Sequence, residues 1–167
     1  LYGIEGGERV DATTDRYESY APAWSADGER LYFLSDRHLH SLVRSPWGPR
    51  QPDPYYDRTT RVYELALRPG LRSPFEPENE TGTAATVEPG DARRGKGRKE
   101  AKDEDAKDAP VRVEVAADGL AARLRELPID PGNYVGLFIA SDRLYWLSTP
   151  DRHAGKQHLV SAPMTHE

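Results

Sequence analysis

Two histidines, two residues apart, are the side chains of this sequence best suited to bind a metal. His38 and His40 would lie on one face of an extended strand, with Asp36 nearby. Imidazole and carboxylate groups are common zinc ligands, so these residues could supply part of a metal site. A histidine pair of this kind more often lies at the exposed edge of a loop, and we predict that the chain binds no metal.

The sequence contains none of the common motifs of nucleophilic or phosphate chemistry. It has no Gly-x-Ser-x-Gly elbow, no Gly-rich phosphate loop ahead of a helix and no His-Glu-x-x-His. Glu76, Glu78 and Glu80 are expected to be solvated acids, because no apolar residues surround them to raise a carboxyl pKa. We therefore predict no catalytic residue and no cofactor in this chain.

A proline-rich loop, RSPWGPRQPDPYYD at residues 44–57, is the best candidate for a contact site. Its prolines stiffen the backbone, and it carries the residue types that dominate binding hot spots. One interpretation is that the aromatic side chains only anchor the loop against the surface of its own domain. The other is an interface with another domain or subunit, formed by Trp47, Arg50, Tyr55 and Tyr56.

The charge pattern argues against nucleic acid and membrane as partners. The net charge is −5, and the basic run at residues 93–102 lies in a stretch, 88–108, where seven basic residues face seven acidic ones. A nucleic-acid patch would need excess positive charge and aromatic residues for base stacking. We therefore interpret the run as part of a solvated insertion.

The middle of the chain differs in composition from the rest. All fifteen aromatic residues lie within 2–75 or 134–146. Residues 76–110 are rich in Gly, Ala, Pro, Glu and Lys and cannot bury enough apolar area to offset their chain entropy. We predict propeller-type β-structure at 1–75 and 111–167 around a disordered charged insertion at 76–110.

Most local patterns outside the insertion indicate strands and turns. Residues 119–127 fit either one or two helical turns or an outer strand, and the neighbouring strands favour the second. Val111, Val113 and Val115 alternate strictly with polar residues, which also predicts a strand. The predicted strands span residues 20–24, 30–35, 61–67, 122–128, 134–139, 143–148 and 158–163, with shorter strands near 1–4 and 9–15.

The strands form a repeat. YAPAWSADGERLYFLSD at 20–36 and YVGLFIASDRLYWLS at 134–148 fall into register when Leu31 is matched to Leu144. With the Pro-rich stretch 38–60 and the insertion set aside, their spacing approaches the roughly 40 to 50 residues of a propeller blade. We predict an all-β chain with one complete four-stranded blade and parts of two neighbours. Asp27 and Gly28 would form the turn of the hairpin, and Trp24 would pack between sheets.

These residues also carry a family resemblance. YAPAWSADGERLYFLSDR is similar to the repeat of TolB-like propellers. Residues 36–75, with SPWGPRQPDP as their most specific part, and PGNY at 131–134 resemble bacterial homologues of tricorn protease. The resemblance covers nearly the whole chain outside the charged insertion. It implies a large multidomain serine peptidase with two N-terminal propellers, a PDZ domain, a split catalytic region and a hexameric assembly.

By this resemblance the chain corresponds to part of the second, seven-bladed propeller, on the substrate route to the active site. The expected function is a non-catalytic segment that guides or gates peptides toward a catalytic domain outside it. The alternatives are a TolB-like propeller that binds proteins without enzymatic activity, and a propeller hydrolase of the prolyl oligopeptidase type. Expected partners are peptide substrates, other domains of the same chain and further subunits.

The sequence offers little about location. It contains no cysteine, which excludes disulfides and Cys-type zinc sites but leaves the redox compartment open. No signal peptide is recognisable, and no apolar run reaches the roughly 18 residues of a membrane span. We expect a cytoplasmic location, with the periplasm as the alternative.

Overall fold

The computed structural model describes residues 1–4, 6–41, 56–76, 111–150 and 155–164. Seven strands and one 3₁₀ helix are defined within these ranges, in two antiparallel sheets. The all-β prediction is confirmed. None of the helical structure in these ranges is long and apolar enough to cross a membrane.

The first sheet contains four strands in sequential order, β1 (Ser19–Trp24), β2 (Arg30–Asp36), β3 (Thr60–Ala66) and β4 (Leu124–Glu126). Each strand is antiparallel to its neighbour, as in the predicted complete blade.

The turn between β1 and β2 has the predicted chemistry. Gly28 has a φ of 70°, which a residue without a Cβ adopts at little cost. The Ser25 hydroxyl donates to Asp27 Oδ1 over 2.5 Å, and the Glu29 backbone N–H donates to the same oxygen over 2.9 Å. Asp27 therefore stabilises the tight turn by accepting these two hydrogen bonds.

The second sheet contains β5 (Asn133–Ala140), β6 (Arg143–Thr149) and β7 (His158–Pro163), also in sequential antiparallel order. Its three strands match the predicted start of the next blade. β5 packs against β1 and β2, so the two sheets lie face to face.

Both inner strands carry a bulge at the same position of the repeat. The pairing of β1 with β2 shifts register between Tyr20 and Ala23, and that of β5 with β6 shifts between Val135 and Phe138. Because Trp24 pairs with Leu31 and Ile139 with Leu144, Ala21 and Gly136 occupy equivalent positions. Both have left-handed backbones, with φ of 50° and 65°.

Two apolar cores follow from the alternation of side chains along β2. Tyr32 and Leu34 point to the first core, where the second sheet contributes Leu144 and Trp146. Leu31 and Phe33 point to the second core on the opposite face, which Leu120 of the 3₁₀ helix helps to close. The face of each sheet that matches Tyr32 and Leu34 is called the front face below, and the opposite one the back face.

Three local predictions need correction. Trp24 is 46% exposed. It lies on the back face of an inner strand, where the residues that the structure describes cover it only in part. Residues 111–119 form no strand ladder; Val111 and Val113 lie against the turn at Gly28 instead. At 119–127 both alternatives occur in succession, a 3₁₀ helix at Leu120–Arg123 followed by the short strand β4.

The predicted strands near residues 1–4 and 9–15 are reduced to a single antiparallel bridge between Tyr2 and Arg9. Leu1, Val10 and Ala12 nevertheless pack against the second core. This part of the chain therefore covers the back face of the first sheet without a regular ladder.

Candidate functional site

Only one end of the predicted interface lies within the described residues. Trp47, Arg50 and Tyr55 fall outside them, and the interface role of these three residues and of Tyr56 stays a prediction. Tyr56 is half-buried and forms an antiparallel bridge with Ser41. The two ends of the proline-rich loop are therefore held together where the loop leaves the blade.

A polar cluster lies at the same end of the first sheet. The Tyr20 hydroxyl is 3.2 Å from Asp36 Oδ1, 3.1 Å from Thr60 Oγ1 and 3.1 Å from the Tyr134 carbonyl oxygen. The Thr60 hydroxyl donates to Asp36 Oδ1 over 2.6 Å. Burial, with a contribution from the Asp36 carboxylate, raises the pKa of Tyr20 to about 12. Tyr20 is thus a neutral donor that joins the two sheets.

Further contacts hold the sheets together beside this cluster. Thr60 and Gly132 exchange two backbone hydrogen bonds of 3.0 Å. Asn133 donates from Nδ2 to Asp57 Oδ1 over 2.8 Å, and its Oδ1 accepts from the Arg58 backbone N–H over 3.2 Å. The last residue of the proline-rich loop and the residues after it are therefore fixed to the residues around the start of the second sheet.

No functional role is predicted for Thr60 or Asn133 from sequence patterns. Both directly precede a predicted strand, and both are polar residues that the fold buries. The signals in the sequence were their position before a strand and, for Asn133, its place in the PGNY stretch. Neither signal indicates a partner, because the partners lie in distant parts of the chain.

A stack of cationic and aromatic side chains forms the outer part of the site. The Arg37 guanidinium lies between two rings, 5.4 Å from the centroid of Tyr17 and 4.7 Å from that of Tyr63. Tyr63 continues the stack onto Phe33, with centroids 5.9 Å apart. Such contacts fix an arginine in place while leaving part of its charge available to a partner.

The two histidines considered as metal ligands lie next to this stack. Their rings are stacked with centroids 6.3 Å apart, and Arg61 Nη2 is 3.5 Å from His38 Nδ1. Asp36, the third residue considered as a metal ligand, accepts hydrogen bonds from Thr60 and Tyr20 instead. Within the described ranges, no three His, Asp or Glu side chains are grouped so that they could hold a metal ion.

The opposite end of the sheet buries a carboxylate. Glu64 is 1% exposed, accepts a 2.7 Å hydrogen bond from the Ser73 hydroxyl and lies 3.6 Å from Arg30 Nε. Burial raises the pKa of Glu64, although Ser73 and the nearby guanidinium groups of Arg30 and Arg125 act against that shift. The arrangement ties β3 to the loop after it.

Two open clefts flank that loop at Pro69, Gly70 and Leu71, with volumes of about 390 and 640 Å³. The arginines of the smaller cleft are already engaged. Arg125 pairs with Glu76, and Arg123 donates to the carbonyl oxygens of Ala66 and Asp118. In the larger cleft Arg68 pairs with Glu29, and Glu114 pairs with Arg112. The charged side chains named in both clefts are therefore already engaged within the chain.

No family model matches the chain. The chain is 31% identical over 145 residues to Tricorn protease homolog 1 of Streptomyces coelicolor, a match that spans 84% of this chain and 12% of that protein. The crystal structure of the tricorn protease has a TM-score of 0.66 at 21% identity, covering 98% of this chain and 14% of that one. The family resemblance stated from the sequence is therefore confirmed, and the chain is a tricorn-like segment built of antiparallel propeller blades.

Proposed function

We propose that the chain is a non-catalytic propeller segment of a tricorn-like serine peptidase and that it guides or gates peptides toward a catalytic domain outside it. The observation that carries this proposal is the 31% identity to Tricorn protease homolog 1 over 84% of the chain. The chain matches only 12% of that protein's length, so a peptidase activity would belong to the remainder.

The site geometry supports a positioning role. Tyr20, Thr60 and Asn133 link two stacked sheets at the end where the proline-rich loop enters and leaves. A loop that starts and ends on such a support can present Trp47, Arg50, Tyr55 and Tyr56 to a neighbouring domain or to a peptide at a low entropic cost. Other domains of the same chain, peptide substrates and further subunits of a hexamer are the partners that we propose, in the cytoplasm.

The test uses the natural full-length protein. We expect it to react with a fluorophosphonate probe of serine hydrolases and to cleave peptides. Trp47→Ala and Tyr56→Ala should lower kcat/KM about tenfold for long peptides, the loss of one moderate hot spot, and leave the cleavage of a short fluorogenic peptide unchanged. Tyr2→Ala, at an exposed tyrosine that forms a bridge with Arg9 outside the proline-rich loop, is the matched control.

Each outcome decides one part of the proposal. A full-length protein that neither reacts with the probe nor cleaves any peptide would contradict the peptidase assignment and favour a TolB-like module that binds proteins. Equal effects on long and short peptides would leave the peptidase assignment standing and remove the guiding role.

A further inference from the structure

Arg37 directly follows β2 and is held in a fixed orientation at one end of the first sheet. Its guanidinium lies between the rings of Tyr17 and Tyr63, 5.4 and 4.7 Å from their centroids. Arg37 Nε donates to the Ser35 hydroxyl over 3.0 Å, and that hydroxyl donates to the Glu18 carbonyl oxygen over 2.7 Å. Among the described residues, the two Nη groups of Arg37 have no hydrogen-bond partner and are left for a ligand.

A second guanidinium contacts the same aromatic ring. Arg16 is exposed, and its guanidinium is 5.3 Å from the centroid of Tyr17, so this ring binds two cationic side chains. The ion pairs within the described ranges all use other arginines. Arg16 and Arg37 therefore place positive charge on one small area of the surface without a carboxylate to balance it.

The carboxylates at this end of the sheet have partners of their own. Glu126 accepts from Arg61 Nη1 over 2.6 Å and from the Tyr63 hydroxyl over 3.1 Å. Asp36 accepts hydrogen bonds within the polar cluster that joins the two sheets. Arg61 thus has a carboxylate partner within the described residues, and Arg37 has none.

A guanidinium that lies between two aromatic rings is open to a ligand along its edge. The Nη groups at that edge match the two oxygens of a carboxylate, and the ring contacts orient them before a ligand binds. We propose that Arg37, assisted by Arg16, binds the side-chain carboxylate of an acidic residue in a bound peptide. The proposal rests on the proposed function, because it specifies the chemistry of the peptides that this segment would guide.

The position of Arg37 relative to the proline-rich loop favours a peptide as the ligand. His38, the next residue, donates its backbone N–H to the Thr59 carbonyl oxygen over 3.0 Å, and Ser41 forms its bridge with Tyr56 just beyond. Arg37 therefore lies beside the paired ends of this loop. A peptide held by the loop would pass close to the guanidinium.

Fluorescence anisotropy with the natural full-length protein tests the proposal. The probes are short labelled peptides of Gly and Ser, capped at both ends, that carry either Glu or Gln at the same central positions. The protein is first treated with the fluorophosphonate probe, so that no peptide is cleaved during the measurement. We expect the Glu peptide to bind about tenfold more tightly than the Gln peptide at low salt, because only a carboxylate forms the charged bidentate pair.

Arginine variants assign the preference to this site. Arg37→Gln should abolish it, and Arg37→Lys should reduce it, because an ammonium group lacks the planar fork. Arg16→Gln, at an exposed residue, should reduce the preference about twofold and decides the test if Arg37→Gln does not fold. The matched control is Arg112→Gln, which changes the net charge equally at an exposed arginine paired with Glu114 and should keep the preference.

Equal affinity of the wild type for the two peptides would overturn the proposal, and so would a preference that survives both Arg37→Gln and Arg16→Gln. A surviving preference, together with loss of the assembled state of Arg37→Gln in sedimentation, would also overturn it and identify a carboxylate of a neighbouring subunit as the ligand. A protein that binds the Glu peptide through Arg37 but cleaves no peptide would contradict the peptidase assignment and leave this site standing.

Discussion

Tyr20 is the residue that most directly joins the two sheets. Its hydroxyl contacts Asp36 and Thr60 of the first sheet and reaches the Tyr134 carbonyl of the second. The half-buried hydroxyl would be the donor that satisfies this carbonyl, and removal of a buried partner costs more than the hydrogen bond gains.

Tyr20→Phe should therefore lower the free energy of unfolding by about 1 to 2 kcal/mol, measured by urea denaturation. The matched control is Tyr17→Phe, which keeps the ring under Arg37 and should change stability by less than about 0.5 kcal/mol. An equal loss in both variants would show that the hydroxyl of Tyr20 has no special role.

A second prediction at the residue scale concerns how the contribution of Glu64 to stability depends on pH. Burial holds its pKa above the ordinary value of 4.5, so the folded state binds this proton more readily than the unfolded chain does. The cost of keeping Glu64 ionised is present above the folded pKa and disappears as the pH falls through it. Glu64→Gln has no such cost at any pH.

The stability of Glu64→Gln relative to the wild type should therefore be greatest near pH 7 and decline toward about pH 4, in denaturation series at several pH values. Asp27→Asn is the control with opposite sign. Burial would raise the pKa of Asp27, but hydrogen bonds from Ser25 and Glu29 lower it below 3.8 overall. Its carboxylate stabilises the fold at neutral pH, so Asp27→Asn should be most harmful there. Equal pH trends in both variants would contradict the assignment.

At the scale of elements, a bulge recurs in β1 and β5, and each of these strands has one edge that no other described strand pairs with. A bulge twists a strand and interrupts its row of backbone donors and acceptors, which discourages the addition of another strand. Pro22, which has no N–H, lies within the bulge of β1. These edges are therefore poor sites for a peptide to bind as an added strand.

The bulge needs a left-handed residue, and Gly136 supplies it at a φ of 65°. A Cβ at this position would have space, since the nearest atom outside the adjoining residues is Leu147 Cδ1 at 3.9 Å. Gly136→Ala should therefore cost about 1 to 2 kcal/mol through backbone conformation alone, measured as a loss of unfolding free energy. Gly6→Ala, without positive φ or a nearby atom, is the control. Unchanged stability of Gly136→Ala would mean that the bulge adopts another backbone.

The segment at 111–119 illustrates why a strand pattern alone can mislead. Its alternation sends Val111 and Val113 to one side, as predicted, but they pack on the turn of the first hairpin, where a Cβ at Gly28 would come within 2.8 Å of Val111 Cγ1. A period of two identifies which side chains share a face. It does not identify a hydrogen-bonding partner for the backbone.

At the scale of the whole molecule, the first core makes the two sheets one cooperative unit. Leu144 belongs to the second sheet but is fully buried against the front face of the first. Leu144→Ala should cost about 2 to 5 kcal/mol and should speed hydrogen exchange in β2 as well as in β6. Leu159→Ala, on an exposed face of the same sheet, should have little effect. Faster exchange confined to the second sheet would contradict a shared core.

The sequence by itself determined most of the strands, the hairpin turn and the repeat, because alternation and turn chemistry are local properties of neighbouring residues. The strands predicted near 1–4, at 9–15 and at 111–119 are not formed. Six of the seven strands lie within about one residue of their predicted bounds. β4 is shorter than the predicted 122–128, because a 3₁₀ helix occupies the first two of these residues and the strand ends at Glu126. The resemblance to tricorn homologues also rested on contiguous residues. The interface role of Trp47, Arg50, Tyr55 and Tyr56 remains a prediction.

Only the tertiary structure decided which residues meet across the chain. Tyr20 and Tyr134 are 114 positions apart, and Asn133 and Asp57 are 76 apart, so no local pattern could connect them. The exposure of Trp24 was decided in the same way. The position of Trp24 on an inner strand follows from the sequence. Its burial depends on which other part of the protein packs against it.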